Sequence, residues 1–445
     1  MTAARLPSRS MEREHDQQTP STSSSNIVIE PNDARRPFHN GSLKLRRAGR
    51  VKRIRAEEKI MGLMKSIQKD VTDSASAVGA GVSEWFDRRG PVKNAVARAG
   101  SALTGGARPS WSRPSVLGSA ALGVAAAMGA LAYYNIRKTR QDEMEHPPIG
   151  QFINVDGMRL HYIDKGKGDV VTLVHGNLTL AEDFLLSGIV DKLAERYRVI
   201  VFDRPGFGYS ERPHRVWTPS AYAELLQKAF SQLAVEHVTV VAHSFASLIA
   251  LDLALQYPAL VEGLVLIAGY YYPTARADVF FMSFAAIPGL GDIMRYTITP
   301  PLTRLFLPGV LRWLFSPAPV TQRFEKGFPN SFAARPVQIG AEAEDSVLMV
   351  ASAMKLEARY GELKLPIIIL VGDGDKMVDI DRQSKRFHDE VPQSELIVIP
   401  GAGHMAHHTA PDQVVSAVDR VGSQGRKPAT TDRKQEAASS WSSFS

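Results

Sequence analysis

The sequence has no cysteine among its 445 residues. That excludes a disulfide framework, a thiol nucleophile, thiolate zinc sites and iron–sulfur clusters. A second lack is local: from Ser115 to Tyr134 the chain reads SVLGSAALGVAAAMGALAYY, without one charged residue. A third is the lack of an even charge distribution. Residues 1–114 hold 21 Lys and Arg against 11 Asp and Glu, whereas the rest holds 32 against 35. The overall charge of +7 therefore belongs to the N-terminal part. It bears on where the protein sits more than on its chemistry. The length fits one large domain or two ordinary ones. With 44% hydrophobic and 22% charged residues, a packed globular core is expected.

Residues 1–114 read as a disordered basic region, because stretches such as STSSSN at 21–26 bury too little apolar surface to offset ordering. Within it, residues 43–69 carry ten Lys and Arg and two Glu, with Ile60, Leu63, Met64 and Ile67 at helical spacing. An amphipathic helix there would meet anionic lipid headgroups. The plain alternative is a solvated basic tail. No nucleic-acid-binding module accompanies the charge, so nucleic acid is not an expected partner.

The uncharged stretch 115–134 would reach about 30 Å as a helix, the thickness of a bilayer core. Trp111 precedes it, and Tyr133 and Tyr134 close it, as interfacial aromatics do. The expectation is a single transmembrane anchor, with membrane lipid as partner and a bacterial inner membrane as location. The alternative is a buried Ala-rich helix. Arg98, Arg108 and Arg113 on one flank balance Arg137, Lys138 and Arg140 on the other, so the side of the catalytic domain stays open.

From about 146 to 421 the composition is that of a folded domain. Apolar β-rich runs fall at 151–155, 158–163, 170–174, 198–202, 238–242, 264–268, 367–371 and 395–399. Helical patterns lie at 181–197, 220–234, 245–257, 382–390 and 411–421. An antiparallel start followed by β-helix-β alternation predicts a mostly parallel α/β sheet of eight strands with helices on both faces. The alternation stops at about 270–362, which reads as a helical cap inserted between strands 6 and 7. Residues 422–445 read as a disordered tail.

Strand ends carry the chemistry. The run 238–242 leads into Ala242-His243-Ser244-Phe245-Ala246, and a helix follows. Such a turn exposes a serine hydroxyl at a helix N-terminus. The other runs end in His175-Gly176-Asn177-Leu178, in Asp203-Arg204-Pro205-Gly206-Phe207-Gly208-Tyr209-Ser210, in Gly372-Asp373-Gly374-Asp375 and in Gly401-Ala402-Gly403-His404. All would lie at the carboxyl edge of a parallel sheet, where such sheets place their sites.

These motifs, taken together, resemble the α/β-hydrolase superfamily over about 146–420. The resemblance implies Ser244 as nucleophile, Asp375 as orienting acid and His404 as base. It also implies backbone N–H groups of Phe245 and Asn177, with Leu178 as the alternative to Asn177, as an oxyanion hole. No cofactor and no metal are implied. One departure is that alanines 242 and 246 replace the two glycines of the family's G-x-S-x-G elbow.

The residues themselves agree with that reading. A serine hydroxyl needs a base to take its proton, and a histidine near neutral pKa can do so and then protonate the leaving group. Asp373 is a rival acid, or a turn residue. His161, His407 and His408 read as ordinary core or surface residues. Ser244 in place of a carboxylate argues against haloalkane dehalogenase and epoxide hydrolase chemistry. A carboxylesterase-like serine hydrolase of small apolar acyl or ester substrates is expected. A lactonase, a carbon–carbon bond hydrolase and a non-catalytic interaction module are the alternatives. The cap's aromatics, Tyr270, Tyr271, Tyr272, Phe280, Phe281, Phe284, Tyr296, Phe306, Trp313 and Phe315, read three ways: an acyl pocket, the cap's own core, or a surface dipping into the membrane.

Overall fold

The computed structural model describes residues 114–274 and 284–425, with backbone alone for 114–121. The basic segment 43–69, the tail from 426 on, and the side chains of Phe280, Phe281 and Phe284 lie outside the described residues.

A long helix α1 (Pro114–Glu145) comes first, and strands β1 (Gln151–Val155), β2 (Met158–Gly166) and β3 (Val170–Val174) follow. Then come α2 (Glu182–Ser187), α3 (Ile189–Ala194), β4 (Arg198–Phe202), α4 (Pro219–Gln232), β5 (Val238–His243), α5 (Ala246–Gln256) and β6 (Val261–Ile267). Helices α6 (Leu290–Tyr296), α7 (Thr299–Phe315), α8 (Gln322–Gly327) and α9 (Pro336–Glu357) separate β6 from β7 (Ile367–Gly372). The chain closes with α10 (Arg386–Glu390), β8 (Ser394–Ile399), α11 (Ala406–Thr409) and α12 (Pro411–Gly425).

The eight strands form one sheet in the order β1-β2-β4-β3-β5-β6-β7-β8. β1, β2 and β4 pair antiparallel, and every later pairing is parallel. β5 and β7 are buried along their whole length, as continuous apolar runs covered on both faces should be. Val174 lies opposite Ala242, and Ala242 opposite Leu266. The carboxyl ends of β3, β5 and β6 thus come level, and the segments that follow them share one edge.

Three expectations need correction. The helix expected over 181–197 is two short helices, because Gly188 between them takes a φ of 83°. Left-handed backbone at that point ends one helix and turns the chain for the next. The pattern at 382–390 opens with a π-helical turn at Asp381–Lys385. The C-terminal helix runs to Gly425, so residues 422–425 belong to it rather than to a tail.

α1 is longer than the uncharged stretch within it. Its 32 residues span about 48 Å. Side chains described from Leu122 to Ala130 are mostly exposed, whereas Asn135 and Asp142 are buried. Asn135 donates to the Tyr296 and Thr297 carbonyls at 3.0 Å each and accepts from Arg304 at 2.8 Å. Glu143 meets Arg335 at 3.1 Å. The C-terminal half of α1 is therefore docked on the helices between β6 and β7. Among the described residues, no helix is long and apolar enough to cross a membrane. The side chains of 114–121, the first part of the expected span, lie outside that description.

Candidate active site

Ser244 stands between β5 and α5 with a φ of +56°, a left-handed conformation uncommon for a residue bearing a Cβ. Its N–H donates to the Ile267 carbonyl at 2.9 Å, which ties the turn to β6. Alanines 242 and 246 are both fully buried beside it, so the missing glycines leave the strand–helix approach intact.

The Ser244 hydroxyl lies 2.9 Å from His404 Nε2. His404 Nδ1 lies 2.8 Å from Asp375 Oδ2, and the other oxygen of Asp375 accepts the N–H groups of Met377 and Val378 at 2.8 and 3.0 Å. The Asp375 side chain is fully buried, while Ser244 and His404 keep 8% and 4% exposure. Asp373, the rival acid, is exposed and accepts from the Gly401 N–H at 2.7 Å. It is the turn residue. His404 is fixed by its own backbone as well. The His404 N–H donates to the Leu314 carbonyl at 2.8 Å, and its carbonyl accepts from His243 Nε2 at 3.1 Å.

The segment after β3 packs directly on this turn. A Cβ on Gly176 would stand 2.9 Å from His243 Nδ1 and 3.1 Å from the Ser244 Cβ, so only glycine allows the approach. Leu178 has a φ of +69°, a second left-handed residue at the same edge. Phe245 precedes the first turn of α5, where backbone N–H groups have no intrahelical acceptor. The structure thus brings Ser244, Asp375 and His404 into one hydrogen-bonded chain. Asn177 and Phe245 adjoin it.

Two buried clusters behind the site join residues more than a hundred positions apart in sequence. Arg204, after β4, donates to Gly176 O at 3.0 Å, to Asn177 Oδ1 at 2.7 Å and to Asp345 Oδ2 at 2.6 Å. Asp345 comes from α9 and is fully buried, with the Tyr222 hydroxyl 2.9 Å away. The second cluster is Asp183, whose oxygens accept His407 Nε2 at 3.0 Å and His408 Nε2 at 2.6 Å. These ligand-type atoms lie within 4.8 Å of one another, but both carboxylate oxygens are taken up by imidazole N–H groups. His161 pairs in the same way with buried Asp203, at 2.7 Å. The three extra histidines are core residues.

Electrostatics follow from this burial. Burial drives the His175 imidazole down to about 3, helped by the Arg204 charge. Its hydrogen bonds agree, since Nε2 accepts the Arg204 N–H at 3.0 Å and cannot take a proton there. Burial opposes ionisation of Asp183, yet His407 and His408 outweigh it and hold the carboxyl well below its ordinary range.

Glu182 shifts the other way, pushed up to about 8 by burial and by Asp203. Its folded state keeps a proton that the unfolded chain loses above about pH 4.5. Its contribution to stability is therefore present below that pH and lost as pH rises through 8. Glu182→Gln should gain stability over the parent by about 1.4 kcal/mol per pH unit between roughly 5 and 8. Urea midpoints of both proteins at pH 5, 7 and 9 measure this. A constant difference across that range would contradict it.

Residues 169–411 match the family model for the alpha/beta hydrolase fold. The chain is 31% identical over 273 residues to a 2-hydroxymuconate semialdehyde hydrolase from a Pseudomonas species, covering 58% of this chain and 88% of that protein. It is 26% identical over 292 residues to haloalkane dehalogenase 2 of Mycobacterium bovis, covering 63% of this chain and 98% of the relative. The solved structure of a thermophilic esterase from Thermogutta terrifontis shares the fold at a TM-score of 0.50 and 22% identity, over 62% of this chain and 99% of the other. With a family match over more than half its length and a sheet of this topology, the chain belongs to the alpha/beta hydrolase fold family.

Proposed function

We propose that this protein is a membrane-anchored serine hydrolase that cleaves a carboxylic ester or similar acyl bond. The observation that carries the proposal is the unbroken hydrogen-bond chain from Ser244 through His404 to Asp375. His404 Nε2 takes the serine proton as Oγ attacks the acyl carbon, then delivers it to the leaving alkoxide. Asp375 holds the imidazole tautomer and stabilises the imidazolium. The N–H groups of Phe245 and Asn177 receive the developing oxyanion. Water then repeats the sequence on the acyl-enzyme. The anchor is the uncharged stretch 115–134 within α1.

A serine at the elbow sets this chain apart from a carboxylate-based mechanism, despite the identity to a haloalkane dehalogenase. A second reading, a carbon–carbon bond hydrolase of the same fold, is favoured by the 31% identity to the 2-hydroxymuconate semialdehyde hydrolase. The test uses the full chain in detergent. A fluorophosphonate probe should label Ser244, and p-nitrophenyl esters of increasing chain length should be turned over. No labelling would point to a non-catalytic module. Labelling, with 2-hydroxymuconate semialdehyde turned over 100-fold faster than any ester, would move the assignment to the second reading.

A further inference from the structure

The outer face of α7 has a character that a water-facing helix rarely has. Its inward side chains, Leu307, Leu311, Leu314 and Phe315, are buried. Its outward side chains are also apolar: Leu302 and Leu305 at 46% exposure, Phe306 at 36%, Val310 at 38% and Trp313 at 39%. They fall at intervals of three and four residues, which is one stripe of a helix. Ile298, at 43%, extends the stripe at its N-terminal end. The helix contains two charges, Arg304 and Arg312, and no acid. Contiguous exposed apolar surface of this kind marks a binding surface.

The position of α1 says what covers it. Asn135 joins α1 to Tyr296, Thr297 and Arg304, so the apolar, exposed part of α1 leaves the body near the N-terminal end of α7, where the stripe begins. Tyr133 and Tyr134 are exposed at that exit point, 65% and 55%. We propose that the outer face of α7 lies in the headgroup–acyl boundary of the bilayer that α1 enters. Apolar side chains would sink into that boundary, tyrosines and tryptophan would sit at its polar level, and Arg312 would reach anionic headgroups. The proposal rests on the membrane-anchored reading and deepens it. Its substrate class is an ester already dissolved in the bilayer, which need not cross bulk water. α7 also ends at the site, because the Leu314 carbonyl holds the His404 N–H.

The natural lack of cysteine makes the test direct. Leu302→Cys, Phe306→Cys and Trp313→Cys, with Glu236→Cys at the opposite, amino edge of the sheet, are each labelled with a polarity-sensitive dye. The full chain is reconstituted in phosphatidylglycerol–phosphatidylethanolamine vesicles carrying acyl-chain nitroxides. Dyes at 302, 306 and 313 should be quenched at least twofold more than the dye at 236. Carbonate extraction of the same vesicles reads the anchor separately. Equal quenching at all four positions in protein that resists carbonate would overturn the α7 surface and leave the anchor standing. Loss to carbonate with selective quenching retained would overturn the anchor and keep the surface. Loss to carbonate without selective quenching would overturn both. Disulfide cross-linking of Phe306→Cys into dimers, without selective quenching, would assign the face to a second copy instead.

Discussion

Ser244→Ala is expected to lower kcat by about 10³–10⁶-fold, with KM for the ester little changed. In the proposed mechanism the hydroxyl is the atom that bonds to the substrate, and its loss leaves what the oxyanion donors and binding contribute. His404→Ala should cost a similar factor, and the double variant should be hardly slower than either, because nucleophile and base act as one unit. Ser244 is buried to within 8% and stands at a positive φ, so alanine fits the same backbone with no new contact. The variant's thermal midpoint should therefore match the parent's, which separates lost chemistry from lost fold. Turnover within tenfold of the parent would remove Ser244 from the mechanism.

The second large effect concerns location. Full-length protein is expected to stay with membranes through high salt and carbonate, whereas Ala121→Arg with Ala126→Arg should release it. Twenty uncharged residues can cross the hydrocarbon with every backbone group bonded inside the helix. Two arginines near the middle add about 2.5–3.5 kcal/mol each on insertion scales. The stretch is rich in Ala and Gly rather than Leu and Ile, so its margin is thin and the pair should exceed it. The basic segment 43–69 adds about 1 kcal/mol per charge close to anionic lipid, a term that salt removes. A double variant that still resists carbonate, or a parent that high salt releases, would show that 115–134 does not span a bilayer.

What the sequence made legible and what it hid have different physical causes. The strands were readable because a sheet covered on both faces demands unbroken apolar runs such as VVTLV and IIILV. That Ser244, Asp375 and His404 meet was readable because each follows such a run, and parallel strands bring their ends to one edge. The break in the helix at Gly188 was hidden, since the apolar pattern continues across it and the turn is a matter of φ alone. The carboxylate partner of His407 and His408 was hidden by distance: Asp183 lies 224 and 225 residues away. Arg204 sits within a visible motif, but Asp345, 141 residues later, follows no pattern. The docking of α1 through Asn135 was hidden too, because its partners Tyr296, Thr297 and Arg304 lie 161, 162 and 169 residues away.

The Arg204–Asp345 pair limits how this enzyme could be remodelled. Helical insertions of this kind invite exchange between relatives as a way of altering selectivity. Here the insertion contributes the acid that neutralises a cation seated under the loop 175–178. A transplanted segment lacking an acid at position 345 would leave that guanidinium uncompensated in the interior, a loss of about 3–5 kcal/mol. The unit of exchange is therefore not the insertion alone but the insertion together with Arg204 and Tyr222.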